Sequence, residues 1–211
     1  LPLDIFGSKA AAVAHLVQVR DVDGVVREDP LFVNYYGRAI PSMALSLAAQ
    51  SLNLKAQDLK LEEDQATIGR LKIPLEEGAI ILPQFYKSSD GKYAFETDSF
   101  FDVLNDKVPA SKYAGKIVIV GSTAKGVGTL FSTPAAKDFD AAQLAAYVTS
   151  SILQEQTITR PAWGSVVSLL AFLTVAAFLM FILPRLSAGQ AALASGVLLI
   201  VLLASEFGLM V

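Results

Sequence analysis

Two patterns of hydrophobic and polar positions divide the chain near residue 160. Before that point, short apolar runs alternate with polar turns, which is typical of a domain folded in water. After it, Arg185 and Glu206 are the only charged residues, and long apolar runs surround them. We therefore predict one globular domain at residues 1–160, followed by a membrane-embedded part.

The membrane-embedded part is predicted to be a helical hairpin. The run 161–183 has no charge, and at 1.5 Å per residue its 23 residues extend roughly 34 Å, enough to cross a hydrocarbon core of about 30 Å. Pro161 suits the first turn of this helix. A tight connection at 184–186 leads to a second span at 187–211. A buried helical hairpin of a soluble protein is the alternative, but two such runs in succession disfavour it.

The orientation follows from the few charges of this part. Arg185 is the only charge of the connection, so the positive-inside rule places the connection in the cytoplasm. Residues 1–160 are then expected on the outer side of the membrane, in the extracytoplasmic or periplasmic space. Glu206 lies about 30 Å along the second helix, where its carboxylate reaches the far interface.

Within residues 1–160, the first half shows the pattern of two hairpins and a helix. In "HLVQVRDVDGVVRED" a hairpin is predicted to turn at Asp23-Gly24. In "IPSMALSLAAQSLNL" a helix is predicted to begin at Pro41 and to bury a face at Leu45, Ala48, Ala49 and Leu52. In "ATIGRLKIPLEEGAIIL" a second hairpin is predicted to turn at Glu76-Glu77-Gly78.

The second half adds two helices and a strand. "TDSFFDVLNDKVP" predicts a short helix that is capped by Thr97 or Ser99 and ends before Pro109. The apolar run "KIVIV" predicts a buried central strand. "FDAAQLAAYVTSSILQ" predicts a helix with Leu144, Tyr147, Val148 and Ile152 on one side. The predicted class is an α/β (α+β) domain, a mixed sheet flanked by helices, followed by the transmembrane hairpin.

Composition excludes several classes of function. The 211-residue chain is 53% hydrophobic, with mean hydropathy +0.49, and residues 1–160 carry 16 of the 17 basic and 19 of the 20 acidic residues. No basic stripe interleaved with aromatics occurs, so no nucleic-acid partner is expected. The chain has no cysteine, which excludes disulfides and thiolate metal sites. A chain without start Met whose end lies inside an apolar run is expected to be a fragment of a longer protein.

The glycine-rich loop "GKIVIVGSTAKGVGTLFSTP" has only the first part of a phosphate-binding pattern. Gly121 and Gly126 have P-loop spacing, but Val127 and Gly128 stand where the P-loop lysine and hydroxyl residue belong. The glycines do not fit the dinucleotide fingerprint either. We interpret the loop as a structural corner, with an anion on its free N–H groups as the alternative.

Other catalytic patterns are also missing, and no catalytic residue, metal site or cofactor is predicted. The single histidine, His15, lies in an apolar strand-like context and is interpreted as a packed or edge residue. Asp21 and Asp23 do not fit a calcium loop, because the glycine comes too early and the twelfth position lacks a glutamate.

The order of these motifs resembles the CHASE2 domain, an extracytoplasmic sensor module of bacterial membrane receptors. The resemblance rests on "RDVDGVVREDPLF", "IPSMALSLAA", "KIPL", "SFFDVLNDKVP", the glycine-rich loop and a helix ending in "ITRP". It implies a membrane helix before Leu1 and a third span after Val211. It also implies an intracellular output domain: a class III adenylate or guanylate cyclase, a Ser/Thr or histidine kinase, or a diguanylate cyclase.

The sensory hypothesis predicts a ligand site at the polar edge of these motifs. The expected residues are Asp21, Asp23, Arg27, Ser122, Thr123, Gly126 and Gly128. The expected partners are membrane lipid, an unidentified extracytoplasmic ligand or protein, and a second copy of the chain, since cyclase and kinase outputs work as pairs. Two alternatives stay open. One is an outward-facing enzyme with a cleft that gathers Asp21, Asp23, Arg27 or Asp102 around Gly126, and the other is a scaffold that binds no ligand.

Overall fold

The computed structural model describes residues 3–55, 58–62, 64–87, 93–123, 126–161 and 163–210. The chain forms two compact units, Leu1–Thr159 and Arg160–Val211. The elements of the first unit are α1 (Asp4–Gly7), β1 (Asp29–Pro30), β2 (Phe32–Tyr35), β3 (Arg38–Pro41), α2 (Met43–Ser51), β4 (Leu59–Leu61), β5 (Gln65–Ile68), β6 (Leu71–Pro74), β7 (Ile80–Pro83), α3 (Phe100–Leu104), a 3-10 turn (Ala110–Tyr113), β8 (Leu130–Phe131), β9 (Phe139–Asp140), α4 (Ala141–Leu153) and β10 (Thr157–Ile158).

The predicted class is confirmed: an α/β domain is followed by two long apolar helices. The strands form several small antiparallel sheets, and isolated parallel bridges join Val25 to Ser132 and His15 to Ser42. β7 lies in the middle of one sheet, with β1 on one side and β10 on the other. The last strand before the apolar helices is therefore paired to the interior of the domain.

The first predicted turn is present as a turn with little strand pairing. Asp21 and Val25 are joined by a backbone hydrogen bond of 2.9 Å, and Gly24 has φ +80°, which an L-residue rarely adopts. A single antiparallel bridge, Val19 to Glu28, flanks the turn. The predicted position of the turn in the second hairpin is wrong. β5 and β6 turn at Gly69-Arg70, and residues 76–78 lie in a separate turn that leads into β7.

Both predicted core helices are present, and they pack against each other. Ser42, not Pro41, precedes α2: its hydroxyl accepts a hydrogen bond from Leu45 N–H, while Pro41 belongs to β3. Asp140 caps α4 by accepting from Gln143 N–H. The predicted face of α4 is buried as expected, whereas Leu52 at the end of α2 is exposed.

An aromatic cluster joins α4 to the segment after β7. Tyr147 is fully buried and its ring contacts those of Phe85, Tyr86, Phe95 and Phe139. Its phenol hydroxyl donates to the Tyr86 carbonyl at 2.8 Å and accepts from Ala94 N–H at 2.9 Å. Tyr147 therefore satisfies two backbone groups inside the core as well as filling it.

The prediction of a buried central strand at "KIVIV" is wrong. Residues 117–120 form no strand, and Val120 is 71% exposed. The preceding elements, α3 and the 3-10 turn, contribute no buried residue, so this region has no core face for the run to join. Ser99 is the residue before α3, as predicted, but its side chain makes no capping hydrogen bond.

The second unit consists of the two apolar helices. The first contains α5 (Gly164–Ala177), a π-helical turn (Phe178–Ile182) and a 3-10 turn (Leu183–Arg185); the second is α6 (Ala188–Met210). The segments 164–185 and 188–205 are long and apolar enough to cross a membrane, and neither is buried within the structure. The helix begins at Gly164, so the placement of Pro161 in its first turn is wrong. Pro161 instead accepts a turn hydrogen bond from Gly164.

Candidate functional site

Three of the predicted site residues form a compact ion cluster on the turn before β1. Arg27 Nη1 lies 2.8 Å from Asp21 Oδ2 and 2.9 Å from Asp23 Oδ1, and Arg27 Nη2 lies 2.7 Å from Asp23 Oδ2. The Arg27 guanidinium, followed by the backbone N–H of Val25, lowers the pKa of Asp23 to about 2. The cluster is exposed to solvent. Its carboxylates and its guanidinium already satisfy one another, so a ligand must compete with these bonds.

The other four predicted residues lie in the glycine-rich loop, where the glycines have steric roles. A Cβ at Gly128 would lie 2.6 Å from the carbonyl oxygen of Ser122, and Gly126 has φ +85°. A Cβ at Gly121 would lie 2.7 Å from the Cβ of Ala142 in the first turn of α4. Ser122 and Thr123 are exposed, and Ala124 and Lys125 fall outside the described residues. These contacts favour the interpretation of the loop as a corner.

The structure does not bring the two predicted groups together. In the described part of the chain, no hydrogen bond or ion pair joins the Asp21–Arg27 turn to the loop at 122–128. The turn is instead held by Val26 N–H, which donates to the carbonyl of Ser132 beyond the loop at 2.7 Å. Whether either group binds a ligand stays a prediction.

A different group of polar residues lies inside the domain. His15, Gln18, Asp29 and Ser42 line a small, partly open cavity of about 20 Å³, room for one water molecule. Its apolar walls come from α2, from Phe131 of β8, and from α4. These four side chains lie far apart in sequence, and they meet because the chain before the turn runs between α2 and β1: His15 N–H donates to the Pro41 carbonyl, and Met43 N–H donates to that of His15.

Asp29 is the most strongly perturbed of these groups. Its residue is 3% exposed, and burial raises the pKa of its carboxyl to about 7, while Gln18 and then the Ser42 hydroxyl oppose that rise. Gln18 Nε2 donates to Asp29 Oδ1 at 3.1 Å. Among the described residues, Asp29 Oδ2 has no hydrogen-bond partner. A carboxyl that titrates near neutrality is therefore enclosed beside α4.

His15 contributes an N–H group to the same place. Its Nδ1 accepts from Val17 N–H at 3.2 Å, so in the neutral ring the proton is on Nε2. Burial lowers the pKa of His15, and the Leu31 carbonyl opposes this effect. His15 Nε2 and Gln18 Oε1 are both buried and, within the described ranges, lack a partner with hydrogen-bond geometry.

His15 also borders a second, open groove of about 350 Å³. The groove is apolar and is lined by residues 13–17 and by Val33, Tyr35 and Ile40 of the β2–β3 hairpin. This volume lies in the range of small-molecule pockets. Sequence reasoning missed both cavities, because neither is encoded by a local motif. The only signal was an acidic residue, Asp29, that directly precedes Pro30 and the apolar run after it.

A comparison with models of protein families identifies the family of the chain. The model of the CHASE2 domain matches residues 3–183. The chain belongs to the CHASE2 domain family. The CHASE2 domain is a sensor module of transmembrane receptors and lies on the extracytoplasmic side of the membrane. Comparisons with curated proteins and with solved structures found no match. For this CHASE2 chain, the resemblance inferred from the order of its motifs is thus confirmed.

Proposed function

We propose that the chain is the sensory input and transmembrane region of a bacterial signalling receptor whose output is an intracellular class III nucleotide cyclase or kinase. The observation that carries the proposal is the exit of the chain from the sensor domain. β10 pairs with β7 through Thr157–Pro83 and Ile158–Leu82, and only five residues, 159–163, separate it from α5. Displacement of the domain interior is therefore transmitted to the first apolar helix along a short path.

The exit is fixed at more than one point. At the end of α4, Ser151 Oγ accepts from Gln84 N–H at 3.1 Å, and Ser150 Oγ lies 3.2 Å from the Tyr86 hydroxyl. Glu155 Oε1 accepts from Lys72 N–H at 2.7 Å. A signal shifts the output only by favouring one packing of these elements over another. Contacts that tie the exit to two neighbouring strands supply the connection that such a shift requires.

We also propose that the chain works as a homodimer. The region from α3 to residue 120 exposes several large apolar side chains: Phe100, Phe101, Leu104, Val118 and Val120. Several exposed large apolar side chains in one region of a folded domain favour an interface with a partner. Cyclase and kinase outputs act in pairs, so a second copy of this chain is the partner we expect.

Single-cysteine labelling tests the topology, and it is simple here because the natural chain has no cysteine. Ser111→Cys places a thiol at an exposed position of the sensor domain, and Ser187→Cys places one between the two apolar helices. In intact cells, a membrane-impermeant maleimide should label the first variant and not the second. Permeabilised cells serve as the control and should give labelling of both. Labelling of Ser187→Cys alone in intact cells would refute the extracytoplasmic placement and the receptor proposal with it.

The coding sequence beyond Val211 tests the output. A third span followed by a cyclase or kinase domain is the expected result, and a coding sequence that carries neither contradicts the proposed output.

In the complete receptor, one glycine inserted after Thr159 should alter the basal output, because it lengthens the path from β10 to α5. The same insertion after Gly37, in the exposed turn between β2 and β3, is the matched control and should leave the output unchanged.

A further inference from the structure

We propose that the small, partly open cavity beside α4 in the sensor domain is a binding site for one water molecule and one exchangeable proton, held between His15, Gln18 and Asp29. This inference deepens the proposed function. It rests on that function in one respect only, namely that the stimulus would be the proton activity outside the membrane. The geometry of the site is independent of that role.

The unpartnered atoms define the kind of ligand. Gln18 Oε1 and Asp29 Oδ2 are acceptors, and His15 Nε2 carries a proton because Nδ1 already accepts from Val17. A metal cation is disfavoured, since the N–H of His15 occupies one side of the site. We place one water molecule among these groups, where it would accept from His15 Nε2 and donate to the two oxygens. The cavity volume of about 20 Å³ matches one such molecule.

The same water serves both protonation states of the carboxyl. When Asp29 is protonated, its Oδ2–H becomes a donor, and the water turns to accept from it while still donating to Gln18 Oε1. Gln18 Nε2 continues to donate to Oδ1 in either state. The step binds or releases one proton at Oδ2 and breaks no other covalent bond. The surroundings keep this carboxyl protonated up to about pH 7.

The remaining surroundings add few charges. The walls supplied by α2, β8 and α4 are apolar apart from the Ser42 hydroxyl. His15 is the titratable group on the opposite side, and Asp140, at the start of α4, accepts from Gln143 N–H. Arg20 lies over the ring of Phe131, 5.5 Å from its centre. Ionised Asp29 is thus a buried charge supported by the Gln18 amide, the Ser42 hydroxyl and one water, and it favours a state in which α4 admits more water.

Two measurements on the full chain in detergent micelles test the site. In the first, carboxyl carbon resonances of aspartate are titrated by NMR. One resonance should titrate more than two pH units above the ordinary aspartate value of about 3.9 and should be absent from Asp29→Asn. Gln18→Met, which removes the donor to Oδ1, should move that titration to still higher pH. If every aspartate of the folded chain titrates at or below the ordinary value, the proposal is overturned.

In the second, hydrogen exchange of the α4 amides is followed from pH 5 to pH 7 and corrected for the intrinsic pH dependence of exchange. In the natural chain, opening of α4 should increase by up to roughly tenfold per pH unit, since opening hydrates the carboxyl and lets it ionise. Asp29→Asn should abolish this slope, and Asp106→Asn, which removes an exposed carboxyl, should retain it. A slope that survives in Asp29→Asn overturns the proposal. Neither measurement involves an output domain, so its failure is distinct from failure of the receptor proposal.

Discussion

Replacement of Asp29 by asparagine should make the sensor domain more stable at neutral pH. The amide has the shape of the carboxyl and still accepts from Gln18 Nε2, but it has no charge to bury. Burial raises the folded-state pKa of Asp29 to about 7 from the ordinary aspartate value of 3.8. The folded state therefore holds the proton more tightly than the unfolded state. The natural domain then loses stability as the pH rises from about 4 to about 7.

The size of the effect follows from that difference of pKa. A difference of 7 − 3.8, about 3 units, corresponds to ~4 kcal/mol at pH above 8, at 1.36 kcal/mol per unit. At pH 5 less than half of this cost is present, so the advantage of Asp29→Asn should grow by ~2–3 kcal/mol between pH 5 and pH 8. Burial lowers the pKa of His15, so His15 makes both chains less stable as the pH falls. Because both chains contain His15, this effect cancels when the two are compared.

Urea unfolding of the full chain in micelles, followed by the near-ultraviolet circular dichroism of the buried tyrosines, measures the difference. Asp29→Asn and the natural chain are compared at pH 5 and at pH 8, and Asp106→Asn serves as the control for loss of an exposed carboxyl. The control should show the same difference from the natural chain at both pH values. If the stability advantage of Asp29→Asn is equal at the two pH values, Asp29 does not titrate between them and the reasoning is wrong.

Three further substitutions probe the core, the loop and the ion cluster. Tyr147→Phe should cost ~1–3 kcal/mol in the same unfolding assay, because two buried backbone groups lose their partner, while the exposed Tyr35→Phe should cost nothing measurable; equal effects would contradict this role. Gly128→Ala should lower the unfolding midpoint, since its Cβ would overlap the Ser122 carbonyl oxygen, and an unchanged midpoint would show that the loop adapts freely. Arg27→Met should raise the pKa of Asp23 from about 2 toward its ordinary value in the carboxyl titration, and a pKa that stays near 2 would rule out the guanidinium as its cause.

Hydrophobic spacing and length were sufficient to predict the long helices. The buried face of α4 follows from its spacing of Leu144, Tyr147, Val148 and Ile152, because a helix of 13 residues repeats its pattern several times. The two apolar helices follow from length and lack of charge. The run at 117–120 did not follow: four apolar residues predict a strand but not the surface that covers it, and here the neighbouring α3 and 3-10 turn contribute no buried residue.

The turn chemistry and the buried polar site show a second limit of local pattern. Both Gly69-Arg70 and Glu77-Gly78 are compatible with a turn, and only the pairing of β5 with β6 decides which one closes the hairpin. The cavity depends on residues from the chain before the turn, from β1 and from α2, and each of these looks ordinary in its own segment. Long-range packing, which no spacing encodes, makes Asp29 unusual.

A last prediction concerns the connection between α4 and the first apolar helix. Ser151 is buried and bonds to the backbone of Gln84 just after β7, whereas the buried hydroxyl of Ser46 in α2 has, within the described residues, no partner. Ser151→Ala should therefore cost ~1–2 kcal/mol and speed hydrogen exchange in β10, while the chemically identical Ser46→Ala should be neutral or stabilising, because it removes an unsatisfied group. A comparable loss of stability in both variants would show that the bond to Gln84 does not hold the exit strand. A selective loss at Ser151, with faster exchange of Thr157 and Ile158, would show that the bond from the end of α4 to Gln84 holds the exit strand β10.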